Sequence, residues 1–125
     1  MHIRFFSTLS WVPWGGSEAL WSLTAEWLAQ QGVEVAASVH GWPETPAPVA
    51  LLRGKGIKVW ERHRLLPTRW QRFKRKCGLE RRVELNEKAA RSWLEERNPD
   101  LVCFSDGPAA WRPDYLQYCI EAGVP

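Results

Sequence analysis

The fold of this chain is decided by residues 10–18, Ser10-Trp11-Val12-Pro13-Trp14-Gly15-Gly16-Ser17-Glu18, which separate an apolar run from a helical pattern. The run at residues 3–7 predicts a buried strand. The apolar positions after the glycines recur at helical spacing and predict the core-facing stripe of a helix: Leu20, Leu23, Trp27 and Leu28, widened by Trp21 and Ala25. At such a helix start the first backbone amides have no intrahelical acceptor and lie at the positive end of the dipole. The stretch therefore predicts either an anion- or sugar-binding turn or a plain tight connection.

The 125 residues, 45% hydrophobic and 25% charged, have the composition of one globular domain. No apolar run approaches the roughly 20 residues that span a bilayer, and the N-terminus does not resemble a signal peptide. The three cysteines, Cys77, Cys103 and Cys119, are widely spaced and form no C-x-x-C pair. This usage predicts reduced thiols in a cytoplasmic protein and argues against a zinc site. Cys103 and Cys119 fall on apolar faces and are predicted to be small core residues.

Strand and helix patterns alternate along the rest of the chain. Gly32 predicts the end of the first helix, and residues 33–39 predict a strand covered on both faces. The next predicted elements are a helix at 48–53, a strand at 57–60, a helix with apolar positions from Leu79 to Leu94, and a strand at 100–105. A last helix is predicted to begin at Pro113 and to turn Leu116, Cys119 and Ile120 inward, and residues 124–125 are predicted to approach a fifth strand. This order predicts an α/β fold, a Rossmann-like open and mostly parallel sheet with helices on both faces.

Ligands of such sheets bind beyond the carboxyl ends of the strands, where the loops at 10–18, 40–46 and 105–108 are expected. Trp11, Trp14 and Trp42 lie in these loops and could stack on a sugar or a lipid. The other tryptophans on predicted strands or helix stripes are expected in the core: Trp21, Trp27, Trp60 and Trp93. His40 follows a strand and could reach the crevice, or it could be a surface residue of a proline-rich loop.

Positive charge is concentrated in residues 62–82, which hold nine Lys or Arg and one acid, Glu80. The remainder of the chain has eight basic and thirteen acidic residues. Part of the segment mixes aromatic and basic side chains: Arg69, Trp70, Arg72, Phe73, Lys74, Arg75 and Lys76. This mixture suits anionic lipid head groups or nucleic acid phosphates, and a solvated surface explains it equally simply.

The sequence from the first strand through Gly15-Gly16-Ser17-Glu18 to Gln31-Gly32-Val33-Glu34-Val35 resembles the N-terminal domain of retaining GT-B glycosyltransferases, especially family 4. Members of that group typically show Gly-Gly-x-Glu at this loop. Asn98-Pro99-Asp100-Leu101-Val102 is similar to the start of the family's fourth strand. The likeness covers nearly the whole chain in layout, but in motif only residues 1–39 and 98–106.

The resemblance implies an acceptor-side domain, at residues 1–125, of a two-domain enzyme that transfers a hexose from a nucleotide-sugar with retained configuration. The partners implied are that donor and a sugar, lipid or polysaccharide acceptor. The nucleotide-sugar half with its E-x7-E motif is absent here, so the chain is expected to be incomplete at its C-terminus and inactive alone. The donor is a co-substrate, and no cofactor or metal is expected, since no carboxylate-histidine cluster is present. A cytoplasmic enzyme, or one peripheral on the inner membrane face, is expected.

Carried over by position, Gly15 and Gly16 would lie beside the donor diphosphate. The acceptor-side residues predicted from the loops are Trp14, Ser17, Glu18, His40 and Trp42. Glu18 could instead brace the loop or simply favour the helix dipole. The family's usual histidine after the fourth strand is missing, and Asp106 stands there, either as a catalytic group or as an ordinary turn residue.

Two other functions fit the same residues. The first is a non-enzymatic Rossmann-like module that binds nucleic acid or another polyanion through residues 62–82. The second is a different α/β enzyme that uses the glycine turn for a phosphorylated substrate. A C-terminal continuation that contains E-x7-E would favour the transferase, for which nucleic acid is not an expected partner. Salt-dependent binding of nucleic acid would favour the binding module.

Overall fold

The computed structural model describes residues 1–62, 77, 87–105 and 114–125. Its strands are β1 (His2–Ser7), β2 (Glu34–His40), β3 (Lys58–Arg62) and β4 (Leu101–Ser105). Its helices are α1 (Gly16–Gln30), α2 (Ala47–Gly54), α3 (Glu87–Glu95) and α4 (Asp114–Ala122). The strands form one sheet in the order β3-β2-β1-β4, and every pairing is parallel. The predicted α/β, Rossmann-like architecture is confirmed.

Both faces of the sheet are covered, because side chains alternate across each strand. Ile3 and Phe5 of β1 belong to a core that includes residues of α1 and α2. Phe6 belongs to a second core with residues of α3 and α4. The second strand is buried through Val35–Val39, as its apolar run predicted. Gly32 has a φ of 80°, which confirms the predicted left-handed end of α1.

The core face predicted for α1 is partly wrong: Trp21 and Ala25 are buried and Leu28 packs against the core as predicted, but three other predicted positions do not. Leu20, Leu23 and Trp27 are exposed, whereas the buried positions of the helix are Glu18, Trp21, Ser22 and Ala25. The orientation is fixed by Trp21, whose ring stacks on Phe5 with centroids 5.6 Å apart, and by buried Glu18 beneath the helix start. This helix carries two apolar stripes, and periodicity alone does not say which one meets the sheet.

The stripe predicted for the last helix is also partly wrong. Cys119 is buried as predicted, but Leu116 and Ile120 are exposed, and Tyr115 takes the second inward position. Cys103 is half-buried against the first core. The predicted approach to a fifth strand at 124–125 stays a prediction, although the carbonyl of Pro125 accepts a 2.7 Å hydrogen bond from the Val102 amide of β4.

Arg4 is the largest polar side chain in the interior, with 2% of its surface exposed. Its guanidinium donates to the Glu96 carbonyl just after α3 and lies 4.6 Å from the centre of the Trp93 ring. Trp60 and Trp93 are half-buried beside this second core, in agreement with their predicted place. Burial lowers the pKa of Arg4, an effect that nearby Glu96 opposes.

Candidate functional site

The crevice of this fold lies where β1 and β4 end side by side. The chain runs from β1 outward through β2 to β3, and β4 then pairs on the other side of β1. This reversal is the topological switch point at which open α/β sheets bind their ligands. Ser7 and Ser105 face each other as the last paired residues, and the Thr8 amide still donates to the Ser105 carbonyl at 3.0 Å. Beyond Thr8 the chain leads into residues 10–18, which we call the glycine loop.

The glycine loop opens α1 without a side-chain cap. Gly15 is the extended N-cap residue, and as a glycine it has no side chain that could accept a hydrogen bond from the amides of the first helical turn. The first turn is closed by the amide of Ala19, which donates to the Gly15 carbonyl at 3.0 Å. Since the preceding helix amides cannot bond within the helix, this end offers donors and positive potential to an anion.

The two glycines have different surroundings. A Cβ on Gly15 would stand 3.3 Å from both a Glu18 carboxylate oxygen and the Leu9 side chain. A Cβ on Gly16 would meet no atom of the described residues within 4 Å. Gly15 therefore permits close packing inside the loop, and Gly16 presents bare backbone to open space.

Glu18 holds the root of the loop. Its side chain is 2% exposed, and its two carboxylate oxygens accept hydrogen bonds from the hydroxyls of Ser7 at 2.6 Å and Ser17 at 2.7 Å. The Ser7 hydroxyl in turn accepts from the Leu9 amide at 3.2 Å. Of the alternatives for Glu18, the geometry favours the brace, and its contact with an acceptor stays a prediction together with that of Ser17.

Arg62 is a site residue that sequence reasoning missed. From the end of β3 it donates to the Ser38 hydroxyl of β2 at 2.6 Å and to the Ser7 carbonyl of β1. Its guanidinium lies 4.0 Å from the centre of the Phe6 ring. In the sequence it is only the first member of a basic run. The strand was predicted to end at residue 60, whereas β3 extends to Arg62 and sets it level with His40.

The aromatic loop residues divide into two groups. Trp14 is half-buried, packs against the first core and has its ring 5.8 Å from that of Trp21. His40 and Trp42, after β2, contact each other edge to face at 5.1 Å. Trp11, near the start of the glycine loop, is exposed. A sugar platform at these residues stays a prediction, and for Trp14 core packing contributes to its place.

Several predicted site residues lie outside the described part of the chain. These are Asp106 and the basic-aromatic residues Arg69, Trp70, Arg72, Phe73, Lys74, Arg75 and Lys76. Within the described residues, no group of three His, Cys, Asp or Glu side chains could hold a metal ion. Over the same residues, no helix combines the length and the apolar character that membrane crossing requires.

We compared the chain with known proteins. No protein-family model matches it, and neither a curated protein nor a solved structure does. Functional inference therefore rests on the residues at the switch point.

Proposed function

We propose that this chain is the acceptor-side domain of a retaining GT-B-type glycosyltransferase that receives the diphosphate of a nucleotide-sugar on its glycine loop. The observation that carries the proposal is the start of α1, which is uncapped by side chains, open at Gly16 and placed at the switch point. Amides held in advance in this way can stabilise the charge that develops on a leaving nucleoside diphosphate. Asp106, which follows β4 in the sequence, and His40 and Trp42, which follow β2, would serve the acceptor side.

The electrostatics of the loop support an anionic ligand. Glu18 is a buried acid near this position, but serine hydroxyls donate to both of its oxygens and disperse its charge. Arg62 adds a cation at the end of β1 on the opposite face of the sheet. The positive end of α1 is thus the feature of this loop that favours an anion.

The test is an amide-resolved NMR titration of the 125-residue chain with a nucleoside diphosphate. We expect selective shifts at Gly16, Ser17 and Glu18, with a dissociation constant of about 1 mM, since the proposal gives these 125 residues the diphosphate contacts alone. Gly16→Ala should weaken this binding about fivefold or more because its methyl group occupies the open approach. Gly54→Ala is the matched control, because Gly54 at the end of α2 is equally unobstructed.

Two results would count against the proposal. One is equal binding by the Gly16 and Gly54 variants, and the other is a titration without shifts in the loop. The polyanion-binding alternative depends on residues 62–82, of which Arg62 and Cys77 are described. Salt-dependent binding of an oligonucleotide, with shifts confined to that segment, would favour it.

A further inference from the structure

The outer face of α1 is apolar and carries no charge. Leu20, Leu23 and Trp27 are 72%, 66% and 60% exposed and recur at spacings of three and four residues. The other exposed residues of the helix are Gly16, Ala19, Thr24 and Gln30. This stripe lies opposite the buried side of α1, so packing of neighbouring helices on the same sheet does not cover it.

The two acids of α1 are both engaged within the chain. Glu18 is buried under the glycine loop, and Glu26 forms a 2.5 Å salt bridge to Lys55 at the end of α2. Leu51, also exposed, lies one turn before Lys55, whose amide donates to the Leu51 carbonyl. The charged pair of Glu26 and Lys55 therefore links α1 to the end of α2.

We propose that this outer face of α1 is a self-association surface, on which a second copy of the chain packs its own α1 antiparallel across a two-fold axis. This inference does not depend on the proposed function. The spacing suits such symmetry, because an axis between Leu23 and Thr24 sets Leu20 of one copy against Trp27 of the other. A two-fold interface needs a patch that complements itself in this way.

The absence of charge selects a second copy over other occupants. An anionic membrane surface or a nucleic acid would require Lys or Arg on this face, and its exposed residues include none. Recognition of an unlike protein is commonly selected by charges around the apolar contact. Two copies of a neutral stripe meet without like-charge repulsion, and Trp27 supplies the kind of aromatic anchor that dominates interface energies.

The area sets the strength of this association. The three side chains expose on the order of 400 Å² of apolar surface, within the range of the largest patches on monomers. Two such faces with their polar neighbours would bury about 1,000 Å², at the lower limit of specific interfaces. We therefore expect a weak, reversible dimer with a dissociation constant of about 10 μM to 1 mM.

Sedimentation velocity of the 125-residue chain over a concentration series tests the proposal. We expect reversible dimerisation by the unchanged chain and at least about tenfold weaker association by Leu23→Lys, which sets like charges beside each other at the axis. Ile120→Lys is the matched control, because Ile120 is 65% exposed on α4, a different element, and this variant should dimerise normally. Circular dichroism melts should show that both variants stay folded, since the replaced side chains are exposed.

A charge-pair experiment makes the test specific for the two-fold axis. Leu23→Glu and Leu23→Lys should each be monomeric alone and should form a heterodimer when mixed. A monomeric unchanged chain at about 1 mM, or undiminished dimerisation by Leu23→Lys, would overturn the proposal. So would binding of the unchanged chain to neutral phosphatidylcholine vesicles that Leu23→Lys abolishes, because a lipid surface would then cover the stripe.

Discussion

Replacement of Glu18 tests whether the root of the glycine loop is held as the structure indicates. Glu18→Ala removes the acceptor of the Ser7 and Ser17 hydroxyls, which donate at 2.6 and 2.7 Å. Ser7 is 1% exposed, so water cannot replace the lost partner without rearrangement. An unpaired buried hydroxyl costs about 1–3 kcal/mol, and the loss of a first-turn acid adds about 0.3–1 kcal/mol. We expect the free energy of unfolding to fall by about 3 kcal/mol.

The loss of unfolding free energy expected for Glu18→Ala can be separated into its contributions. Glu18→Gln keeps the shape and one acceptor oxygen, and it should cost about 1 kcal/mol. A double-mutant cycle of Glu18→Ala with Ser7→Ala should give a coupling free energy of about 1–2 kcal/mol, because the two side chains share one hydrogen bond. Glu26→Ala is the control on the same helix, where the partly exposed pair with Lys55 should contribute about 0.5 kcal/mol.

Urea denaturation followed by tryptophan fluorescence measures all five variants, which are the four single replacements and the double variant of the cycle. A loss for Glu18→Ala no larger than that for Glu26→Ala, or the absence of coupling between Ser7 and Glu18, would show that Glu18 does not brace the loop. A loss of about 3 kcal/mol would be a large part of the stability of an ordinary domain, which is about 5–15 kcal/mol. Glu18 would then be established as a structural brace, whether or not it also contacts a ligand.

Three other predictions follow from single positions. Gly15→Ala should destabilise the chain by about 1–2 kcal/mol because its methyl group stands 3.3 Å from Glu18 and Leu9, whereas Gly16→Ala should be neutral or stabilising in the same thermal melt. Arg4→Met should change the unfolding free energy by less than about 1 kcal/mol, since Nε and Nη1 of Arg4 are buried and have no hydrogen-bond partner among the described residues. Arg4→Ala should cost about 2–4 kcal/mol through the cavity that it leaves, and an equal loss in both variants would contradict this. Of the three thiols, exposed Cys77 should react with a disulfide reagent about tenfold or more faster than Cys103 and Cys119, whose pKa values are raised by burial; mass mapping of a different order of labelling would refute it.

The sequence predicted the sheet well because buried parallel strands leave a plain signal. The run at 33–39 has apolar or small residues at nearly every position, as a strand covered on both faces requires. Gly32 marked the end of α1 by a conformation that its φ of 80° confirms. Short connections between such elements then left a parallel sheet as the simplest arrangement.

The orientation of α1 could not be predicted in the same way. Leu20, Leu23 and Trp27 are the more hydrophobic stripe, and a rule based on burial alone selects them. The opposite side is held against the sheet by Trp21, which stacks on Phe5, and by Glu18, a polar residue whose hydrogen bonds in the interior come from Ser7 and Ser17. The hydrogen bond from Ser7 to Glu18 joins residues eleven positions apart, so no local sequence pattern indicates it.

The contributions of Arg62 and Glu18 are related, and their relation explains why Arg62 was not predicted as a site residue although the glycine loop and Glu18 were. Both side chains bind Ser7, from opposite faces of β1. The Glu18 carboxylate accepts a hydrogen bond from the Ser7 hydroxyl, and the Arg62 guanidinium donates one to the Ser7 carbonyl. Neither the sign of the charge nor the residue type in isolation indicates this, because each side chain is placed by strand register and helix orientation. The result is a loop fixed at its root and open at Gly16. Fixed donors beside open space are what a preorganised anion site requires, since binding then needs little reorganisation of the backbone.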